Sequence, residues 1–219
     1  MTTRSDPVRS FAALVAVVAA SALVLQYGLL IGRAPASGSV LFLTVRFFSY
    51  FTILSNLLVL LVTASAAFAP ESSWGRWFAQ ATVRGGVALY IGVTMGIYAT
   101  VLRQLWEPQG AQWWADSSLH YAVPTLYLAW WLFAVPHGAL RWTHVPRWLL
   151  FPAGYLSWVL ARGIWAREYP YPFLDLAAQD LPVVLRNCSG VFALLLMLGS
   201  VLVLVDRWRG RVLGVVART

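Results

Sequence analysis

The chain has 219 residues, 60% of them hydrophobic and 11% charged, with a mean hydropathy of +0.69; a soluble domain carries about a quarter charged residues, so this is the composition of a membrane protein. All 16 basic residues are arginine, which excludes a lysine Schiff base, and the single cysteine, Cys188, excludes an intrachain disulfide framework and any multi-cysteine metal site. The net charge of +8 does not read as a nucleic-acid footprint, because the arginines fall mostly at the ends of apolar runs, where they can meet lipid headgroups.

Six runs are long and apolar enough, or nearly so, to cross a bilayer, which takes ~20 helical residues. The first, 11–31, has no charge and exceeds the ~7–15 residues of a signal-peptide core. It reads as an anchor, with Gln26 and Tyr27 as its polar groups. The second, 42–68, contains SYFTILSNLLVLLV. At 3.6 residues per turn Ser49, Thr52, Asn56 and Thr63 share a face, with Ser55 beside it. On pattern alone, helix packing is the stronger reading, since small and hydroxyl residues let membrane helices approach and asparagine joins them. A catalytic Thr52 is the sharper alternative. Arg46, six residues earlier, is placed toward the outer-leaflet side of the bundle.

The third run, 84–104, spaces Tyr90, Thr94 and Tyr98 four apart on one face. The fourth, 117–136, holds SLHYAVPTLYLAWWLF, in which His120 is the one histidine inside an apolar run. Two readings of His120 stay open: an intramembrane functional group, or a ring near the interface that bonds headgroups or Asp116. Pro124 is expected to bend the helix and to free a carbonyl that needs a partner. The fifth run, 147–165, is the weakest, with 14 uncharged residues at its centre and Arg147 and Arg162 expected to snorkel outward. The connection 163–186 is dense in aromatics and proline and reads as an ordered cap. The sixth run, 187–205, opens on Arg186, Asn187 and Cys188, the last read as a small buried hydrophobe.

The expected fold is all-α: a polytopic membrane protein, one domain over 1–219, built as a compact bundle of six transmembrane helices. With the N-terminus inside, ten arginines fall on the cytoplasmic side (4, 9, 76, 84, 141, 147, 207, 209, 211 and 218) against six outside. That bias puts both termini in the cytoplasm. Metal and cofactor signals are weak: the histidines lack ligand spacing, and there is neither a Gly-rich phosphate loop nor a GxSxG elbow. No cofactor is expected. A transporter reading lacks an acid within a central span to relay ions.

Three short blocks carry a likeness. RFFSYFTILSN around Thr52, LHYAVP around His120 and YPYPFLD at 169–175 resemble the androgen-induced-protein family of membrane proteins, especially its bacterial relatives. The resemblance implies an intramembrane threonine hydrolase of lipid esters, with fatty acid esters of hydroxy fatty acids as the substrate class. It places the nucleophile on Thr52 and the base on His120. An oxyanion donor is then required, and Asn56, Tyr98 and Arg186 are the candidates, with Arg46, Ser55 and Thr94 as further cavity residues. The implied partners are membrane lipids, including a fatty-acyl ester, and the implied location is a bacterial inner membrane. The alternative is a non-catalytic protein that binds lipid or assists a partner, with a small-molecule transporter third.

Depth bears on the pair. If the second helix begins near residue 42, Thr52 lies ~15 Å down by helical rise, whereas His120 lies only ~5 Å into the fourth. The two meet only if the fourth helix begins earlier, near Trp113, or the second later, near Arg46.

Overall fold

A computed structural model describes residues 6–33 and 39–216. Arg4 and Arg218, both counted in the charge bias, lie outside the described residues. All regular structure among the described residues is helical, and four helices are long and apolar enough to cross a membrane: Pro7–Gly32, Phe51–Phe68, Ala81–Leu105 and Leu181–Gly214. The aromatic-rich fourth run and the 17-residue helix of the fifth fall short of that measure. The chain forms two compact units, Met1–Pro136 and His137–Thr219.

In unit 1, α1 (Asp6–Gly32) packs along α3 (Phe51–Phe68). Its buried residues Ala12, Val15, Ala16, Ala19, Ala22 and Leu23 recur at helical spacing. Four alanines on that face let the backbones come close, which is how helices associate where lipid removes the hydrophobic drive. Leu14, Val17 and Val24, on the other face, are exposed, as lipid-facing residues are. Helix α5 (Ala81–Ile97) lies between α3 and α7 (Val123–Ala134) and buries a continuous run, Gly85 to Ile91. The short α4 (Ser73–Phe78) leaves Trp74 and Trp77 exposed, in keeping with an aromatic belt. Ser72 caps it by accepting from the Gly75 N–H at 2.9 Å.

The second run is two helices, not one. Helix α2 (Val40–Phe47) stops, and α3 restarts at Phe51 from an extended Tyr50. The cause is local. Ser49 donates its hydroxyl back to the Val45 carbonyl at 2.7 Å, while the Ser49 and Tyr50 N–H groups tighten onto Arg46 and Phe47 three residues back.

The third and fourth runs each widen into a π-helical turn, Tyr98–Leu102 after α5 and Ser118–Ala122 between α6 (Ala111–Ser117) and α7. The second turn answers to Pro124. In π register the Val123 N–H bonds the Ser118 carbonyl, so the donor due to the Leu119 carbonyl is residue 124, a proline with no N–H. Asn56 supplies it instead, from Nδ2 at 3.1 Å.

In unit 2, α8 (His144–Trp148) and α9 (Leu150–Ala166) precede α10 (Leu181–Val216), a helix of 36 residues. Arg162 does not snorkel outward. It is 3% exposed, and it donates to the Glu168 carboxylate at 2.9 Å and to that residue's carbonyl at 3.3 Å. Turning at Arg167, whose φ of 53° ends α9 in the left-handed region, brings Glu168 back over it. Gly163 has no room for a Cβ because the Tyr169 ring fills the space. The 163–186 connection is ordered by stacked Tyr171 and Phe173 and by Asn187, which donates to the Phe173 carbonyl at 3.1 Å. Cys188 is buried. Further along α10, Asp206 is buried, meets His137 Nδ1 at 3.1 Å and accepts the Leu140 N–H at 2.8 Å.

Candidate functional site

The break before α3 decides where Thr52 stands. It is the second residue of that helix, at the positive end of its dipole, and is 7% exposed. The fourth helix begins at Ala111, earlier than 117, and places His120 within its π-helical turn. Either shift would have let the pair meet, and both occur: α3 starts at Phe51, later than Arg46, and the fourth helix at Ala111, earlier than Trp113. Thr52 Oγ1 lies 3.3 Å from His120 Nε2.

His120 is oriented from its other nitrogen. Nδ1 lies 3.0 Å from the Asp116 carbonyl oxygen and 3.3 Å from Asp116 Oδ1. Both are acceptors, so the hydrogen-bond network assigns the ring proton to Nδ1 and turns the Nε2 lone pair toward the threonine hydroxyl. Asp116 is 5% exposed, and its second oxygen accepts from the Tyr98 hydroxyl. The Tyr98 ring also stacks on the imidazole, with centroids 3.8 Å apart and planes 12° apart, and meets Tyr121 edge-on. Ring orientation and tautomer are thus set by Asp116, at the end of α6 just before the second π-helical turn, and by Tyr98, which opens the first. Such bulges collect at functional sites.

The backbone of Thr52 is held as firmly. Its carbonyl accepts from Asn56 Nδ2 at 2.8 Å and from Ser55 Oγ at 3.1 Å. Thr94 Oγ1 lies 2.9 Å from Ser55 Oγ and 3.0 Å from the Tyr90 carbonyl; with the Ser55 hydrogen on the Thr52 carbonyl, the Thr94 hydrogen is shared between these two acceptors, which ties α3 to α5.

These contacts redistribute the expected roles. Ser55, Asn56, Thr94 and Tyr98 gather around the pair, but as its supports. Both hydrogens of the Asn56 amide go to carbonyls, and the single hydroxyl hydrogen of Tyr98 goes to Asp116, so neither offers a donor to an oxyanion. Arg46 lies in α2, beyond the break, and is half-buried. Arg186 is exposed on α10 in unit 2. Thr63 donates to the Val59 carbonyl within its own helix.

Asp116 is absent from the candidate site read in the sequence, where it figures only as a partner that would leave His120 inert. The signal was present: an acid four residues before a histidine on one helix faces it. Whether the two pair to no purpose or to orient a base depends on what meets Nε2, and that neighbour is 68 positions away. Comparison with known proteins finds no family model, no curated protein and no solved structure that matches the chain.

Proposed function

We propose that the protein is an intramembrane hydrolase that cleaves lipid esters with Thr52 as nucleophile and His120 as general base. The observation that carries this reading is the chain of contacts Thr52 Oγ1 to His120 Nε2 at 3.3 Å, then Nδ1 to Asp116. Nucleophile and base stand ~2.6–3.2 Å apart when engaged and are often looser without substrate.

In the reaction, Thr52 Oγ attacks the ester carbonyl carbon while its proton passes to His120 Nε2. The tetrahedral species collapses, the C–O bond to the alcohol breaks, and the imidazolium returns the proton to the leaving oxygen. Water then attacks the acyl-threonine with the same nitrogen as base, which releases the carboxylic acid and restores the hydroxyl. Asp116 keeps Nδ1–H in place and stabilises the transient imidazolium, the part a carboxylate plays in such triads. The positive end of α3 favours negative charge developing beside Thr52. Asp116 is a positioning residue here, and Tyr98 positions Asp116.

The fold that goes with this reading has six spans, with both termini in the cytoplasm of a bacterial inner membrane, so that an ester reaches Thr52 sideways from the lipid. The apolar setting and the three blocks around Thr52, His120 and 169–175 favour fatty acid esters of hydroxy fatty acids as the class to try first. The test is release of free acid from such an ester by detergent-purified protein. Thr52→Ala and His120→Ala are each expected to lose activity by at least about 10³-fold, as loss of a member of a catalytic unit does. Equal rates in wild type and both variants would end the proposal.

A further inference from the structure

The far end of unit 1 carries a polar contact that ester cleavage does not use. Arg84 stands one turn into α5, roughly 21 Å along that helix from Tyr98 by helical rise. Its guanidinium lies over the Trp130 ring, with Cζ 5.2 Å from the centroid. Tyr127, fully buried, donates its hydroxyl to the Arg84 carbonyl at 3.1 Å. Tyr127 and Trp130, three apart on α7, therefore hold both the backbone and the head of this arginine.

Two donors in this contact are left over. Arg84 Nε and Trp130 Nε1 are both buried and have no hydrogen-bond partner among the described residues, and Trp130 is only 1% exposed. Native structures satisfy most buried donors, because leaving one unmade forfeits its hydration. Neighbouring arginines show the usual solution. Arg9 places Nε and one terminal nitrogen on the Ala67 carbonyl at 3.2 and 2.9 Å, and Arg76 donates to the Glu71 carbonyl. Arg84 Nε makes no such bond. A half-buried cation with a dry, unbonded Nε, beside a dry, unbonded indole N–H, suits an oxyanion with several oxygens. The guanidinium fork matches phosphate in charge and shape. The start of a spanning helix is also the depth at which phosphates of the bilayer lie.

We propose that Arg84 and Trp130 form a phosphate-binding site at the end of unit 1 opposite Thr52. Its occupant is the phosphodiester of a membrane phospholipid or, from the soluble side, free phosphate. Arg84 supplies the charge and Trp130 the second donor. The site is independent of the ester chemistry and stands whether or not Thr52 is a nucleophile.

The test is native mass spectrometry of delipidated full-length protein in detergent, titrated separately with phosphatidylglycerol, with diacylglycerol of the same chains, and with inorganic phosphate. Wild type is expected to retain one phosphatidylglycerol at least about tenfold more tightly than diacylglycerol, the scale of hydrogen bonds to a charged group. Arg84→Gln is expected to abolish that preference and Trp130→Phe to reduce it, while Arg76→Gln keeps it. A single phosphate adduct lost in Arg84→Gln would assign the site to the soluble anion. Trp130→Phe keeps an aromatic face for Arg84 and removes the indole N–H with part of the bicycle, so, with its fold checked by thermal melting, it carries the test if Arg84→Gln does not fold. Equal retention of the two lipids by wild type with no phosphate adduct would overturn the proposal, as would wild-type preference in both variants.

Discussion

Asn56 and Pro124 should be energetically coupled although they are 68 positions apart. Asn56 is fully buried and gives one amide hydrogen to the Thr52 carbonyl and the other to the Leu119 carbonyl. In Asn56→Ala the Thr52 carbonyl keeps its bond from Ser55, so little is lost there. The Leu119 carbonyl loses the donor that replaces the missing N–H of Pro124. A buried group left unsatisfied costs about 1–3 kcal/mol, and interhelical bonds in membranes measure about 0.6–2 kcal/mol. We therefore expect Asn56→Ala to lose about 1–2 kcal/mol, which at this chain length lowers Tm by about 2–8 °C. Pro124→Ala restores an N–H at residue 124, so the same Asn56→Ala change made in that background should cost less than half as much. The assay is a double-mutant cycle by thermal unfolding in detergent. Strictly additive losses would refute the link between the π-helical turn and Asn56.

Asp116→Asn should lower kcat on a lipid ester by about 10²-fold or more with KM little changed and thermal stability nearly kept, because it spoils the orientation of His120 without removing the base; a change in KM alone would contradict the positioning role. Gly210→Ala should destabilise the protein by about 1–3 kcal/mol, since its Cβ would stand 2.6 Å from Gly138 Cα, itself at a φ of 98°. Gly190→Ala, with nothing within 4 Å, should be neutral or better by thermal melting. His144 lies outside the membrane runs, and burial, then the charges of Arg147 and Arg141, push its pKa below the usual imidazole value. The fold thus favours its neutral form, whose Nδ1 accepts the Arg141 N–H at 3.2 Å. Its contribution is complete above the unfolded value of about 6.5 and is lost as pH falls through the lower folded value. Melting curves from pH 8 to pH 5 should fall less steeply for His144→Gln than for wild type.

Much of this architecture follows from short-range physics. The charge-free run 11–31 and the composition of 187–205 suffice to read apolar helices, and Pro124 announces a freed carbonyl. The helix break at Phe48 to Tyr50 was not legible, because a serine among aromatics continues an apolar helix as readily as it ends one. Hydrogen bonds from Ser49 back to Val45 decide it. Arg162 was misread for a related reason. Snorkelling is the default for an arginine at a helix end, and only the left-handed turn at Arg167 shows that Glu168 folds back to meet it. The residue types of the site could be read from the sequence, but their division of labour could not. Asn56 and Tyr98 carry donors on paper, and which acceptors consume those donors is a property of three helices together.

The most direct test of the central claim is the intact mass of detergent-purified protein after treatment with a fluorophosphonate probe. The account predicts a single adduct on wild type, none on Thr52→Ala, and markedly slower labelling of His120→Ala, because the threonine hydroxyl is inert until a base takes its proton. A Thr52→Ala variant labelled at the wild-type rate would contradict it.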